Sequence, residues 1–148
     1  MNEHDEYPAL GMMLRRAHGR AALAFAEELE PLGIENRLAG ILLQLGHYGP
    51  QSQRQLMVRV GADKSAMVRS VDELEARGLA VRTPHPTDRR AHAVALTPAG
   101  EELLTGILGA AQRAEGRLLT CLDPAEQRQF GALLERFALA ETLPCDLP

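Results

Sequence analysis

The sequence has few cysteines and lacks a long apolar run. Only Cys121 and Cys145 occur among its 148 residues, and a chain of this length can bury a working core without disulfides. None of its apolar runs approaches the roughly 20 residues of a membrane span, and the acidic start, residues 1–6, is unlike a signal peptide. These absences predict a single soluble domain of the cytoplasm with no disulfide scaffold and no membrane partner.

The sequence patterns of catalysis and metal binding are also missing. There is no Gly-rich phosphate loop, no HExxH and no GxSxG, so we expect neither an enzymatic activity nor a cofactor. The five histidines are scattered without the spacing of a ligand set, which predicts no bound metal. Cys121 is expected to be a small buried hydrophobic residue.

Positive charge is concentrated in one part of the chain. The formal net charge of −4 argues by itself against a partner rich in phosphates. Between Ser52 and His92, however, eight basic residues stand against five acidic ones, so this segment carries +3 and the remainder −7. Such asymmetry is typical of a nucleic-acid-binding module on an acidic support, with chance clustering as the alternative.

The spacing of apolar residues predicts a mainly helical chain. A first amphipathic helix covers residues 7–29 and ends at Pro31 and Gly33. A second begins near Asn36 and stops at the glycine-rich residues 46–50. The core face of this second helix carries Leu38, Ile41, Leu42 and Leu45.

Two further helices are predicted close together after Pro50. Ser52 and Gln55 form a capping box, which starts a short helix that Gly61 breaks. Asp63 is the N-cap of the next helix, which extends to Arg77 and is followed by a glycine in the left-handed conformation. Its inward positions, at i, i+4 and i+7, are Met67, Val71 and Leu74.

A hairpin and two long helices complete the prediction. Residues 79–83 and 91–96 alternate as two strands, with prolines in the loop between them. Thr97-Pro98 and Asp123-Pro124 are N-cap signals for the last two helices. The expected apolar stripes are Leu104, Ile107 or Leu108, Ala111, Ala114 and Leu118, then Phe130, Leu133, Leu134, Phe137 and Ala138.

The helix that begins after Asp63 has the side chains needed to read DNA. The N-terminal turns of a helix in the major groove lie closest to the base edges. The residues predicted to contact bases there are Lys64, Ser65, Val68 and Arg69. Arg69 can bind a guanine through two hydrogen bonds, and Val68 can contact a thymine methyl. The alternative is an ordinary solvated helix face.

The tip of the hairpin is the second predicted DNA contact. Arg89 and Arg90 can enter a narrow minor groove. Asp88 is expected to orient Arg90 through a charge-assisted hydrogen bond, to favour the turn, or both. The predicted phosphate contacts are Ser52, Arg54, Arg59 and Arg82.

These motifs resemble the MarR family of winged-helix transcription regulators. The resemblance covers most of the chain and is most specific at Asp88 and Arg90, followed by Leu96-Thr97-Pro98-Ala99-Gly100. It implies a mainly α fold with a small β-hairpin wing, in which a winged helix-turn-helix region, 36–97, is flanked by dimerisation helices, 7–32 and 98–142. It further implies a homodimer that binds double-stranded DNA at a pseudo-palindromic operator, as a repressor.

The resemblance also implies a small-molecule partner. Members of the family commonly release DNA when a small aromatic or anionic ligand binds near the dimer helices. The candidate lining of such a pocket is Met12, Arg16, His47 and Tyr48, with Arg16 facing a carboxylate. The alternatives are that Arg16 is solvated and Tyr48 merely packs, and that the chain is a winged-helix protein-interaction module without DNA binding.

Overall fold

The computed structural model describes residues 9–84, 87 and 92–140. Its helices are α1 Leu10–Leu29, α2 Asn36–Tyr48, α3 Gln53–Val60, α4 Lys64–Ala76, α5 Pro98–Leu118 and α6 Pro124–Ala138. Its strands are β1 Gln51–Ser52, β2 Ala80–Pro84 and β3 His92–Leu96. The fold is therefore mainly helical with a small antiparallel sheet, as the sequence predicted. None of the described helices is long and apolar enough to span a membrane.

The helix starts follow the capping residues that the sequence indicated. The side chain of each accepts a hydrogen bond from the first turn of its helix: Ser52, Asp63, Thr97 and Asp123. Such caps satisfy backbone N–H groups that have no partner inside the helix. Gly78 follows α4 at φ +69°, a conformation that favours glycine. Local chemistry alone thus determines where these elements begin and end.

The sheet has one strand that the sequence did not reveal. Its order is β1-β3-β2, with β3 antiparallel to both neighbours. β1 contains only two residues, paired with Ala93 and Val94, and Ser52 also caps α3. A two-residue strand has no alternation to detect, so the expected two-stranded hairpin was incomplete. β1 fastens the start of α3 to the hairpin.

One core unites the elements between α2 and α5. The predicted inward residues of α2 and α4 are buried, and α5 contributes Ile107 and Ala110. Ile107, not Leu108, therefore occupies the core, since Leu108 is 49% exposed. Ala110 is buried where Ala111 was expected, which rotates the buried stripe of α5 slightly. Residues of all parts of the winged region join this cluster: Leu38, Leu42, Leu56, Met67, Leu74 and Val94.

Helices α1 and α5 pack along each other and are joined by ion pairs. Glu28 accepts a hydrogen bond from Arg113 Nε at 2.7 Å and one from Arg117 at 3.1 Å. Arg117 also binds Glu27. These contacts lower the pKa of Glu28, chiefly through the hydrogen bond from Arg113 and then that from Arg117. The two long helices are thus held in a fixed alignment by charge as well as by packing.

The outer helices expose many apolar side chains. None of the residues of α6 is buried within this chain, and the apolar stripe that the sequence predicted on this helix is exposed. The exposed large apolar residues of α1, α5 and α6 are Leu10, Met12, Met13, Leu23, Leu108, Phe130, Leu133, Leu134 and Phe137. Cys121 is also exposed, which corrects the expectation of a buried thiol. The sequence predicted the starts of the last two helices correctly. Their outer apolar side chains are left exposed by this single chain.

We predict that Glu28→Gln lowers the melting temperature at pH 7 because Gln cannot form the charge-assisted bonds to Arg113 and Arg117. The lowered pKa of Glu28 means that its stabilisation is present above its ordinary value of 4.5 and is lost as the pH falls through the folded-state pKa. The difference from the wild type should therefore shrink in acid. Thermal melts followed by circular dichroism at fixed protein concentration measure this.

Glu115→Gln is the matched control for this variant. Glu115 is an exposed carboxylate of α5 that forms no ion pair with any described residue. Its replacement should leave the melting temperature near that of the wild type. A deficit of Glu28→Gln that persists unchanged in acid would contradict the assignment of its effect to ionised Glu28.

Candidate nucleic-acid interface

Helices α3 and α4 form a helix-turn-helix. Gly61 ends α3 at φ +67°, and the Ala62 N–H donates to the Met57 carbonyl at 3.1 Å. Asp63 then caps α4, its Oδ1 accepting the Ala66 N–H at 2.8 Å. Three residues therefore turn the chain from one helix to the next, and the first turn of α4 is left at the surface.

The two faces of α4 have opposite characters. Met67, Val71 and Leu74 are fully buried on one of them. On the other, Lys64, Ser65 and Arg69 are exposed, while Val68 is half-buried rather than fully exposed. Lys64 and Arg69 form no ion pair within the described part of the chain. Their charges remain available to an external partner.

The four predicted phosphate contacts differ in their surroundings. Ser52 is half-buried and bound to Gln55 in the capping box. Arg54 is exposed and makes no ion pair with the described residues. Arg59 is exposed, and its guanidinium lies 3.6 Å from the ring centroid of Tyr48, a cation–π contact. Only Arg54 and Arg59 thus present accessible charge.

Arg82 is occupied by partners of its own chain. From β2, its guanidinium donates to Asp72 at 2.7 Å, to Gln53 at 3.1 Å and to Glu75. Its backbone N–H also donates to Glu75, at 2.8 Å. The side chain is only 25% exposed. Three of the five N–H donors of this guanidinium are therefore engaged by α3 and α4 and its charge is balanced by two carboxylates, which disfavours the predicted phosphate contact of Arg82.

A second arginine ties α4 to α2. Arg37 donates to the Ser70 hydroxyl at 2.8 Å and to Glu73 at 2.8 Å. The hydrogen bond from Arg37 is the largest influence that lowers the pKa of Glu73, and the reciprocal bond raises the pKa of Arg37. Arg77 adds a bond to the Gly33 carbonyl at 3.0 Å. Sequence reasoning missed these tethers, since no local pattern relates residues more than 30 positions apart.

The wing begins on the antiparallel strands β2 and β3. Pro84 and His92 are cross-strand partners at their far ends. The predicted minor-groove residues Asp88, Arg89 and Arg90 lie between them, outside the described residues. The pairing of β2 with β3 agrees with the predicted hairpin. The roles of Asp88, Arg89 and Arg90 stay predictions.

The predicted effector residues line neither of two crevices in the described part of the chain. A crevice of about 330 Å³ opens between the end of α2, β3 and the start of α5, and its lining includes Gly46, Ala95, Glu101 and Leu104. A second, of about 350 Å³, lies beside Leu32 and Leu79. Neither is lined by the four residues expected from the sequence, Met12, Arg16, His47 and Tyr48.

The four expected residues divide into two groups. His47 and Tyr48 contact each other edge to face at 4.4 Å between ring centroids. The guanidinium of Arg59 lies over the Tyr48 ring. Met12 and Arg16 are exposed on α1. Tyr48 thus contacts α3, whereas the crevice that follows α2 is lined mainly by glycines and leucines, with Glu101 as its charged residue.

Comparison with known proteins identifies relatives over nearly the whole chain. The sequence profile of the MarR family matches residues 32–91. A putative transcriptional regulatory protein for the hcr operon of Thauera aromatica is 34% identical over 86% of this chain and 77% of its own. The transcriptional repressor NicR of Pseudomonas putida is 27% identical over 90% and 84%.

A solved structure agrees with these relatives in fold. CouR of Rhodococcus jostii, crystallised with p-coumaroyl-CoA, superposes with a TM-score of 0.78 at 30% identity, over 91% of this chain and 95% of CouR. The match covers 91% of the chain and therefore extends well beyond the helix-turn-helix. The chain therefore belongs to the MarR family of winged-helix transcriptional regulators.

Proposed function

We propose that the protein is a sequence-specific repressor that binds double-stranded DNA as a homodimer. The observation that carries this proposal is the division of α4, whose buried face fixes the helix in the core while its first two turns present unpaired cations. The proposed major-groove contacts are Lys64, Ser65, Val68 and Arg69. The proposed minor-groove contacts are Asp88, Arg89 and Arg90.

The ion pairs of the winged region indicate which basic side chains remain free to contact DNA. Arg37, Arg77 and Arg82 are bound to carboxylates of α4, so their charge is already balanced. Arg54 and Arg59 are exposed on α3 and are the proposed phosphate contacts outside α4. For DNA binding, the net charge of +3 on the segment therefore matters less than the few guanidinium and ammonium groups that have no ion-pair partner among the described residues.

The exposed apolar surface supports the homodimer. Monomeric proteins rarely leave a large contiguous apolar patch in water, and α6 exposes Phe130 by 44% and Phe137 by 58%. We propose that α1, α5 and α6 pair with the same helices of a second copy. Two-fold symmetry then predicts operator half-sites one helical turn apart, about 34–36 Å.

A small ligand is proposed for the crevice between α2, β3 and α5. Its volume of about 330 Å³ suits a single aromatic ring with a short substituent. Glu101, the charged residue of its lining, disfavours a carboxylate and favours a phenolic hydroxyl that can donate a hydrogen bond. The complex of CouR with p-coumaroyl-CoA shows that one relative binds an aromatic compound. We therefore propose a phenolic effector.

Arg69→Ala should weaken operator binding by about 5- to 150-fold, the effect of losing about 1–3 kcal/mol at one base contact. The measurement is a fluorescence-anisotropy titration with duplexes that carry the pseudo-palindrome next to its own gene. Preference should relax at one base position per half-site. Arg128→Ala on α6, also an exposed arginine, is the control and should bind like the wild type.

The same titration separates DNA binding from protein docking. For a DNA-binding protein the logarithm of affinity falls linearly with the logarithm of salt concentration. A protein-interaction module of the same fold would show neither this slope nor a preference for the palindrome. Absence of both in the wild type would reject the proposed function.

Phe137→Glu should reduce the mass in solution from twice the chain mass of 16.1 kDa to that of one chain. The charge would lie in the proposed apolar interface, where desolvation opposes association. Light scattering after size exclusion measures the mass. Val58→Glu is the matched control because Val58 is 80% exposed on α3, and it should remain dimeric. A wild type that is already monomeric would refute the dimer.

A further inference from the structure

Arg82 contacts three elements of the winged region at once. It projects from β2, the first strand of the hairpin, to Gln53 of α3 and to Asp72 and Glu75 of α4. The guanidinium fork suits such a site because its donors point in fixed directions. The backbone N–H of the same residue binds Glu75, so the strand itself is also attached to the helix.

We propose that Arg82 is a positioning residue that sets the wing against the recognition helix α4. This inference rests on the proposed DNA-binding function and adds a residue that acts without touching DNA. A helix in the major groove and a hairpin in the adjacent minor groove must fit one duplex together, so their relative placement has to be held to within about 0.5 Å. Arg82 bridges these two elements directly.

We call the bonds from Arg82 to Gln53, Asp72 and Glu75 the clamp. The carboxylates among these partners explain why the residue at its centre is an arginine. Asp72 lies on the same stripe of α4 as Ser65 and Arg69, because it follows Arg69 by three residues and Arg69 follows Ser65 by four. It is 59% exposed, and a free carboxylate there would repel the phosphates of DNA. The bond from Arg82 turns Asp72 toward β2 and uses its charge to fasten the strand. The three bonds start from three different nitrogens of Arg82, and a lysine, whose donors all lie on one nitrogen, could not reproduce their separate directions.

A contrast within the same helix indicates what the clamp is for. Arg37 also binds one carboxylate and one hydroxyl of α4, those of Glu73 and Ser70, but it comes from α2 and these bonds do not involve the hairpin. Both arginines therefore contribute to holding α4, while only Arg82 joins α4 to the wing. A variant at Arg37 is consequently a matched control for stability without loss of the wing contact.

The test compares Arg82→Met with Arg37→Met in operator titrations over a range of salt concentrations. Arg82→Met should lower affinity by about tenfold or more, comparable to loss of one base contact, with the salt slope of the wild type. A lost phosphate contact would instead make the slope shallower by about 0.9 for each subunit and would overturn the proposal. Arg37→Met should lower affinity less than Arg82→Met at an equal loss of melting temperature.

The triple variant Arg82→Met, Asp72→Asn, Glu75→Gln separates positioning from charge neutralisation. It removes one positive and two negative charges, so a residue that merely shields the acids would be dispensable and affinity would return to the wild-type value or exceed it. That result would overturn the clamp. The clamp predicts that the triple variant stays as weak as Arg82→Met. Unchanged affinity of Arg82→Met beside a binding wild type would reject this inference alone, whereas a wild type without operator binding would reject the proposed function.

Discussion

The structure depends on one constraint, namely that α4 must be held firmly by one face while the other stays free. Burial of Met67, Val71 and Leu74 supplies the main stabilisation, since each fully buried large apolar side chain is worth about 1.5–3 kcal/mol. Hydrophobic burial is not directional and would tolerate rotation and sliding of the helix. The arginines supply direction: Arg37 ties α4 to α2, and Arg82 ties it to β2.

The same pairs decide how charge is used. Exposed ion pairs contribute little to stability, about 0–1 kcal/mol each. The pairs of Arg37 and Arg82 with α4 are therefore better explained by what they position than by how much they stabilise. Each pair fixes an angle between two elements and withdraws an acid from the surface where phosphates are proposed to lie. Lys64 and Arg69, which have no such partner among the described residues, keep their charge accessible. A segment of modest net charge can thereby present a locally positive surface.

The sequence predicted what local chemistry determines. The caps at Ser52, Asp63, Thr97 and Asp123 and the inward faces of α2 and α4 were correct because each depends on residues within one or two turns. β1 was missed because two residues carry no period. The bonds of Arg37 to α4 were missed because they join positions more than 30 residues apart. Those of Arg82 to α4 were missed because they join a strand to a helix, and a basic residue in sequence does not reveal whether a carboxylate will neutralise it. The sequence could not decide what covers the apolar face of α6, because an amphipathic pattern indicates that a face will be covered and not by which chain.

The crevice beside α5 lies where the two halves of the molecule meet. Leu104 fills the space over Gly46 so closely that a Cβ atom on Gly46 would come within 2.3 Å of it, and Ala95 of β3 completes the wall. α2 and β3 belong to the winged region, whereas α5 belongs to the long helices with the exposed apolar face. A ligand in this crevice would contact both α2 and α5, and one that pushed Leu104 away from Gly46 would move α5 relative to α2 wherever the close-packed side chain could not change rotamer. Since α4 is tied to α2 through Arg37, such a shift would move α4 relative to α5, and a ligand with different affinity for the two arrangements would change their populations.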